Sequence, residues 1–195
     1  MAEKRLIVLF VEGKTEEVFY KYLLGHWRQT EGVSTKEIKI ITMHGIGNFT
    51  KKAVAKFKGE ICREYPNSDY EIFLAYDSDV FELAKNPPVD WDRVEKELKA
   101  SGAFSVTHLK AEKMIEDWLI LDLDGICSAL KIKKPGKLDG KSGLEKIEKL
   151  FKNANRVYQK GYNTKEFISK LNIEKITSGV YKTLGCLKDS IYPKE

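Results

Sequence analysis

Four runs of β-branched, aromatic and other apolar residues recur along the chain. They are Arg5 to Val11, Glu37 to Met43, Tyr70 to Tyr76 and Phe104 to Leu109, and such runs are typical of strands buried in a parallel sheet. Between them, apolar positions at helical spacing predict three helices, the third capped by Asp90. Strands that alternate with helices predict an α/β fold, with a Rossmann-like parallel sheet and right-handed crossovers.

The sequence also predicts where the first helix begins and how the chain continues after the fourth strand. Thr15 is predicted to cap the first helix. Apolar spacing from Met114 to about Leu130 predicts one more helix, whereas Lys131 to Gly143 has the glycines, proline and lysines of a basic loop, and short helices are predicted after it. We therefore predict an α/β domain over 1–110 and a helical C-terminal extension with a basic loop over 111–195.

Composition narrows the class of protein. Of 195 residues, 42% are hydrophobic and 32% are charged, and no apolar stretch approaches the roughly 20 residues that a membrane span requires. The apolar run from Leu6 to Val11 is too short for a signal peptide, so we expect a cytoplasmic protein without a membrane partner. Cys62, Cys127 and Cys186 have neither zinc nor disulfide spacing, and we predict that they are reduced thiols.

Charge is divided unevenly along the sequence. Residues 1–129 contain 18 Lys and Arg against 22 Asp and Glu, a balance of −4, whereas residues 130–195 contain 16 against 7, a balance of +9. This separation suits a protein that holds cations at one site and a polyanion such as nucleic acid beside it. A solvated, lysine-rich surface is the alternative interpretation.

Acidic side chains follow two of the predicted strands. Glu12 comes directly after the first strand, and Asp77 and Asp79 come after the third. Because the carboxyl ends of parallel strands lie at one edge of the sheet, these carboxylates are expected to meet there and to share a hard divalent cation. Aspartates also cap turns and helices after strands, and that role remains open for each of them.

These residues carry a family resemblance. The segment from Val11 to Glu17 (V-E-G-K-T-E-E), followed about 60 residues later by Tyr76 to Asp79 (Y-D-S-D), resembles the Toprim domain, and so does the order of strands and helices over the first half of the chain. The resemblance implies a Toprim-like fold in which Glu12, Asp77 and Asp79 bind Mg²⁺ or Mn²⁺ and serve as catalytic carboxylates.

A second stretch refines the resemblance. Glu116 to Leu119 (E-D-W-L) is similar to the E-x-W-L stretch of small RloB-like and OLD-type Toprim nucleases of bacterial and archaeal defence systems, which implies a catalytic role for Glu116. Topoisomerases and primases need modules for which 195 residues leave no room. The rRNA maturases of the superfamily differ from this chain at Thr15-Glu16 and at Val80-Phe81, which makes that activity a lesser alternative.

The sequence therefore predicts a Mg²⁺-dependent nuclease that cleaves phosphodiester bonds of DNA or RNA, with a role in antiphage defence. Two other classes remain open. One is a non-catalytic, metal-binding Toprim signalling module that works with a partner ATPase, and the other is an rRNA-maturase-like or primase-like enzyme. The residues predicted to bind nucleic acid are lysines of the basic loop and of the first motif: Lys14, Lys131, Lys133, Lys134, Lys137 and Lys141.

Overall fold

The molecule is built on a four-stranded parallel sheet. A computed structural model describes residues 4–79, 89–162 and 164–193 of the chain. The strand order is β2–β1–β3–β4, and the strands are β1 Lys4–Val11, β2 Glu37–Thr42, β3 Ser68–Asp77 and β4 Ala103–Ala111. The α/β class with a parallel sheet is confirmed, because every strand lies within two residues of its predicted position.

Helices connect the strands and continue after the last of them. The first connects β1 to β2, the next two lead to β3 and β4, and the others follow β4. Their bounds are α1 Lys14–Thr30, α2 49–64 with π-helical turns at Phe49–Ala53 and Phe57–Ile61, α3 Trp91–Ala100, α4 Ile115–Leu119, α5 Leu123–Leu130, α6 Gly143–Asn153, α7 Thr164–Ile168, α8 Ile173–Gly179 and α9 Tyr181–Ile191.

The two faces of the sheet carry separate hydrophobic cores. Alternate β1 residues point to opposite sides, as in any strand. Ile7 and Leu9 pack with α1 and with the helices of the C-terminal part, whereas Leu6 and Val8 pack with α2 and α3. The layers are thus helix, sheet, helix. The C-terminal helices share one core with the sheet, and the domain boundary near residue 110 stays a prediction.

The connections diverge at the carboxyl ends of β1 and β3, and we call the point between these two strand ends the crevice. The chain passes from β1 to β2 on one side and from β3 to β4 on the other, with the connecting helices on opposite faces. In open α/β sheets, ligands bind outside the carboxyl ends of the strands at such a reversal point. Here the point lies between the neighbouring strands β1 and β3, which end at Glu12 and Asp77.

Some local predictions were right and others wrong. Asp90 caps α3, since its Oδ1 accepts a hydrogen bond from the Arg93 backbone N–H at 3.1 Å. Thr15 is not a cap: α1 begins at Lys14, and the Thr15 side chain is buried. The single helix predicted from 114 to 130 is interrupted by a 3₁₀ turn, Ile120–Asp122, because Asp122 caps a new helix, α5.

Two further predictions, on membrane spans and on the difference from rRNA maturases, depend on which residues the structure describes. None of the helices in ranges 4–79, 89–162 and 164–193 is long and apolar enough to cross a bilayer. The Val80-Phe81 pair, on which the predicted difference from rRNA maturases partly depends, lies outside the described residues.

Candidate functional site

Two carboxylates meet at the crevice between β1 and β3. Glu12 Oε2 accepts a hydrogen bond from the Asp77 backbone N–H at 3.2 Å, so the two strand ends are joined. Asp77 Oδ1 accepts another from the Ile115 backbone N–H at 2.8 Å, where α4 begins. Asp77 is thereby held between the sheet and α4, the first helix after β4. Its other oxygen, Oδ2, pairs with a lysine that is described below.

Glu116 joins this pair from α4. Its side chain is 0% exposed, and its Oε1 accepts a hydrogen bond from the Tyr158 hydroxyl at 3.0 Å. Gly143, the first residue of α6, fixes the backbone here, because its N–H donates to Asp117 Oδ1 at 2.6 Å and a Cβ at 143 would lie 2.5 Å from the Glu116 carbonyl oxygen. Only glycine allows α6 to approach α4 so closely.

A lysine ammonium lies among the carboxylates. Lys160 Nζ is 2.6 Å from Asp77 Oδ2, 3.4 Å from Glu116 Oε2 and 3.9 Å from Glu16 Oε1. Glu16 comes from the first turn of α1 and is buried. We call Glu12, Glu16, Asp77 and Glu116 the carboxylate group. Its four members come from two strand ends and two helices.

The segment that brings in the lysine is a loop between α6 and α7. We call residues 155–162 the strap. Its Gly161 N–H donates a hydrogen bond to Thr15 Oγ1 at 3.0 Å, which ties the strap to the first turn of α1. Gly161 has a φ of +79°, a conformation that favours glycine. Thr15 therefore anchors the strap.

Burial dominates the electrostatics of the group. It raises the pKa of Asp77 to about 8, even though the Lys160 charge acts in the opposite direction, and it also raises the pKa values of Glu12 and Glu16. Burial alone would lower the pKa of Lys160, but the charges of Asp77, Glu116 and Glu16 outweigh it and raise that pKa above its ordinary value. The Lys160 ammonium thus offsets part of the negative charge of the carboxylate group.

The structure brings together three of the predicted catalytic residues, Glu12, Asp77 and Glu116, and places the fourth beside them. The Asp79 backbone N–H donates to the Lys113 carbonyl oxygen at 3.0 Å, and its half-buried carboxylate is close enough for its charge to raise the pKa of Glu12, an effect secondary to burial. Asp79 therefore lies at the rim of the group.

The lysines predicted to bind nucleic acid are all exposed. Lys14 pairs with Glu17 at 3.0 Å, Lys134 with Asp124 at 2.6 Å, and Lys137 with Asp139 at 3.1 Å. The others, likewise in the basic loop, are Lys131, Lys133 and Lys141. Exposed pairs of this kind contribute little to stability, so these side chains can exchange partners readily.

Sequence reasoning missed three members of the site. Glu16 stood inside the V-E-G-K-T-E-E segment, and its position four residues after Glu12 was an available signal. Tyr158 and Lys160 had none, because nothing in the local sequence distinguishes this lysine from the other basic residues of the C-terminal part.

The donor atoms of the group suit a hard cation. Within the described residues no three His, Cys, Asp or Glu side chains are arranged to hold a metal ion, and the carboxylates surround an ammonium instead. However, Glu16 Oε1 and Glu116 Oε2 are buried without accepting a hydrogen bond. Oxygen atoms of ionised carboxylates are the ligands that Mg²⁺ and Mn²⁺ prefer. The residues therefore fit such an ion chemically, with Lys160 now providing the positive charge.

Comparison with known proteins identified no relative of this chain. No protein-family model, curated protein or solved structure matches the chain significantly.

Proposed function

We propose that the chain is a Toprim-like nuclease that uses Mg²⁺ or Mn²⁺ to cleave phosphodiester bonds of DNA or RNA. The observation that carries the proposal is the carboxylate group at the reversal point of the sheet, where two buried oxygens accept no hydrogen bond. Buried carboxylates that serve only the fold are normally satisfied by donors. A surplus of acceptors is instead what a metal site needs.

Roles follow from position. Glu12, Asp77 and Asp79, at the strand ends, would hold the ion, together with Glu16, whose buried Oε1 accepts no hydrogen bond. When bound, Mg²⁺ supplies charge neutralisation to a phosphodiester and lowers the pKa of water. Glu116 has one oxygen held by Tyr158, while the other, Oε2, accepts no hydrogen bond and lies 3.4 Å from the Lys160 ammonium; this second oxygen would act as the general base.

Two basic regions can hold the substrate. The Lys160 side chain is 40% exposed while its ammonium pairs with Asp77, so a phosphate that approaches the carboxylates would also approach this lysine. The exposed lysines named above add positive charge, and contacts between lysines and phosphates release counterions. Neutralising Lys131, Lys133, Lys134, Lys137 and Lys141 together is expected to flatten the dependence of nucleic-acid affinity on salt concentration.

The test is a cleavage assay with plasmid, single-stranded DNA and tRNA in Mg²⁺ and in Mn²⁺. Glu116→Gln should reduce turnover by at least about a hundredfold, because the proton acceptor is lost while size is kept. Glu112→Gln is the matched control, because Glu112 lies four residues earlier and is exposed. This variant should cleave the substrates as fast as the wild type.

Two outcomes would contradict the proposal or redirect it. Full activity in the Asp77→Ala/Asp79→Ala double variant would exclude the mechanism. Metal-dependent stabilisation of a protein that cleaves none of these substrates would favour the non-catalytic signalling module with a partner ATPase. A role in antiphage defence rests on the family resemblance and would be tested by phage challenge of cells that express the wild type or the Asp77→Asn variant.

A further inference from the structure

An aromatic cavity lies directly behind the carboxylate group. It has a volume of about 190 Å³, and its lining combines ring faces with one amide: Phe151, Val157, Tyr158, Gln159, Tyr162 and Phe167. Tyr158 belongs to both places, because its ring lines the cavity while its hydroxyl donates to Glu116. One tyrosine side chain therefore separates the cavity from the proposed site of phosphodiester cleavage.

The strap presents different residues to its two sides. Tyr158 and Lys160 reach inward to the carboxylates. Val157 and Tyr162 remain 87% and 65% exposed at the cavity, although both are large and apolar or aromatic. Tyr162 is held in place by a turn, in which its N–H donates to the Gln159 carbonyl oxygen at 3.0 Å. Val157 and Tyr162 lie at the same cavity, so together they form one exposed apolar patch rather than two isolated positions, and such a patch offers contact area to a ligand.

The inner wall of the cavity is a preformed aromatic cluster. Phe151 packs edge to face against Tyr158 and Phe167, with ring centroids 5.2 and 5.1 Å apart. These contacts fix the rings before any ligand arrives, so little conformational entropy is lost when one binds. Tyr162, at the rim, is available to stack on whatever enters.

Positive charge exceeds negative charge next to the cavity. Arg156, Lys170 and Glu166 line an adjoining cavity of about 340 Å³ that shares Phe151, Val157 and Phe167 with the first, and Lys170 pairs with Glu166 at 2.7 Å. On the other side, Lys14 lies against Gly161 of the strap. A ligand that combines a flat aromatic ring with a polyanionic backbone complements both the rings and this charge.

We propose that the aromatic cavity receives an unpaired nucleobase of single-stranded DNA or RNA, next to the phosphodiester that the carboxylate group cleaves. This rests on the proposed function, because it is the substrate backbone at the carboxylates that places a base near Tyr158. Ring stacking accepts every base, whereas Gln159 and the backbone of the strap offer hydrogen bonds to base edges. The enzyme is then selective for unpaired strands, since paired bases inside a duplex cannot enter the cavity.

The experiment measures base insertion without requiring cleavage. A ten-nucleotide single strand with one central 2-aminopurine, as DNA and as RNA, is titrated with the full-length protein in Ca²⁺. Stacking of 2-aminopurine on an aromatic side chain quenches its fluorescence. We expect saturable quenching by the wild type and by Tyr162→Phe, and binding that is about tenfold weaker or more for Tyr162→Ala, because it lacks the ring.

Tyr181→Ala is the matched control, because Tyr181 is a 50% exposed tyrosine that lines a different cavity. It should quench like the wild type. Absence of quenching by the wild type, or equal quenching by Tyr162→Ala, would overturn the nucleobase site. The Mg²⁺ cleavage assay judges the nuclease separately: quenching without cleavage leaves the base site standing and removes the proposed function, and cleavage without quenching does the reverse.

Discussion

Two buried aspartates in this molecule, each paired with a lysine, have very different surroundings. Asp122 Oδ1 accepts hydrogen bonds from the Gly125 N–H at 3.2 Å and from Lys175 Nζ at 3.3 Å, and its Oδ2 accepts one from the Asn172 N–H at 2.8 Å. Each oxygen is satisfied. Asp122 caps α5 and links it to α8, so its role in the fold is fully accounted for.

Asp77 belongs to the opposite case. It shares one lysine with two further buried carboxylates, and one oxygen each on Glu16 and Glu116 accepts no hydrogen bond. Burying charge without sufficient partners costs stability. Both Asp77 oxygens have a donor, from the Ile115 N–H and from Lys160 Nζ, so the comparison teaches that the donors available to a whole cluster of carboxylates, rather than the burial of one aspartate or a nearby lysine, separate a structural acid from a candidate metal site.

The comparison is tested most strongly by the same substitution at both positions. Asp77→Asn should reduce cleavage by about a hundredfold or more, with a cost in stability as well, because Asn still accepts the Ile115 N–H but loses the ion pair with Lys160. Asp122→Asn places an amide donor opposite a backbone N–H and should cost about 1–3 kcal/mol of unfolding free energy, with cleavage retained. Urea denaturation and the cleavage assay measure the two effects. Equal loss of activity in both variants would remove the distinction.

Divalent ions should stabilise only one of the two sites. At a hundredfold excess over the Kd, a ligand adds about 2.7 kcal/mol of stability, which raises the Tm of a chain of this size by roughly 5–10 °C. We expect this increase with Mg²⁺ or Mn²⁺ for the wild type and for Asp122→Asn. The Asp77→Asn/Glu116→Gln variant should show none. A similar increase in that variant, measured by differential scanning fluorimetry, would place the ion elsewhere.

Each of the two sites contains a glycine at which there is no room for a Cβ atom, so the same substitution can be compared at both. A Cβ at Gly143 would clash with the Glu116 backbone, so Gly143→Ala should lower stability by about 1–3 kcal/mol and displace Glu116, with loss of cleavage by the folded protein. A Cβ at Gly125 would clash with the Asp122 carboxylate, so Gly125→Ala should lower stability and leave cleavage intact.

The control for both glycines is Gly25→Ala. Gly25 lies within α1 with open space around it, and alanine there should raise stability by about 0.5–1 kcal/mol. If Gly143→Ala behaved like Gly25→Ala in thermal melts and in cleavage, the close approach of α6 would not position Glu116.

The comparison also predicts the pH dependence of the metal-free protein. Burial raises the folded-state pKa of Asp77 from 3.8 to about 8, so the stability associated with its protonated form is complete below about pH 4 and is lost as the pH rises through 8. In EDTA, the Tm should therefore fall between pH 5 and pH 8.5. Asp77→Asn should flatten this decline and Asp122→Asn should not. Equal slopes in all three proteins would contradict the assignment.

The strands and the first carboxylates were predictable for a physical reason. A strand buried on both faces must be apolar along its whole length, as Leu6 to Val11 is, and the polar residue that ends it stands out. Glu12 and Asp77 were found in this way. Glu116 required a family resemblance, because acidic residues on a short helix also occur at ordinary solvent-facing positions.

Other features depended on contacts that a linear pattern does not contain. The helix predicted over 114–130 is broken where Asp122 caps α5, and a hydrogen bond from the Asn172 N–H, 50 residues later, also holds that carboxylate. Thr15 is an anchor rather than a cap because Gly161 approaches it, and Lys160 joins the site through the same approach. Long-range hydrogen bonds determine where these side chains lie, and the helix or strand propensity of single residues contains no information about such bonds.

The hydrogen bond between Gly161 and Thr15 spans 146 residues and has a consequence for biosynthesis. Chains fold from the N-terminus as they are made. A nascent chain that has emerged only as far as the end of α6 contains Glu12, Asp77 and Glu116 but lacks the strap that supplies Tyr158 and Lys160. Assembly of the complete site therefore waits until the strap has emerged and Gly161 can reach Thr15.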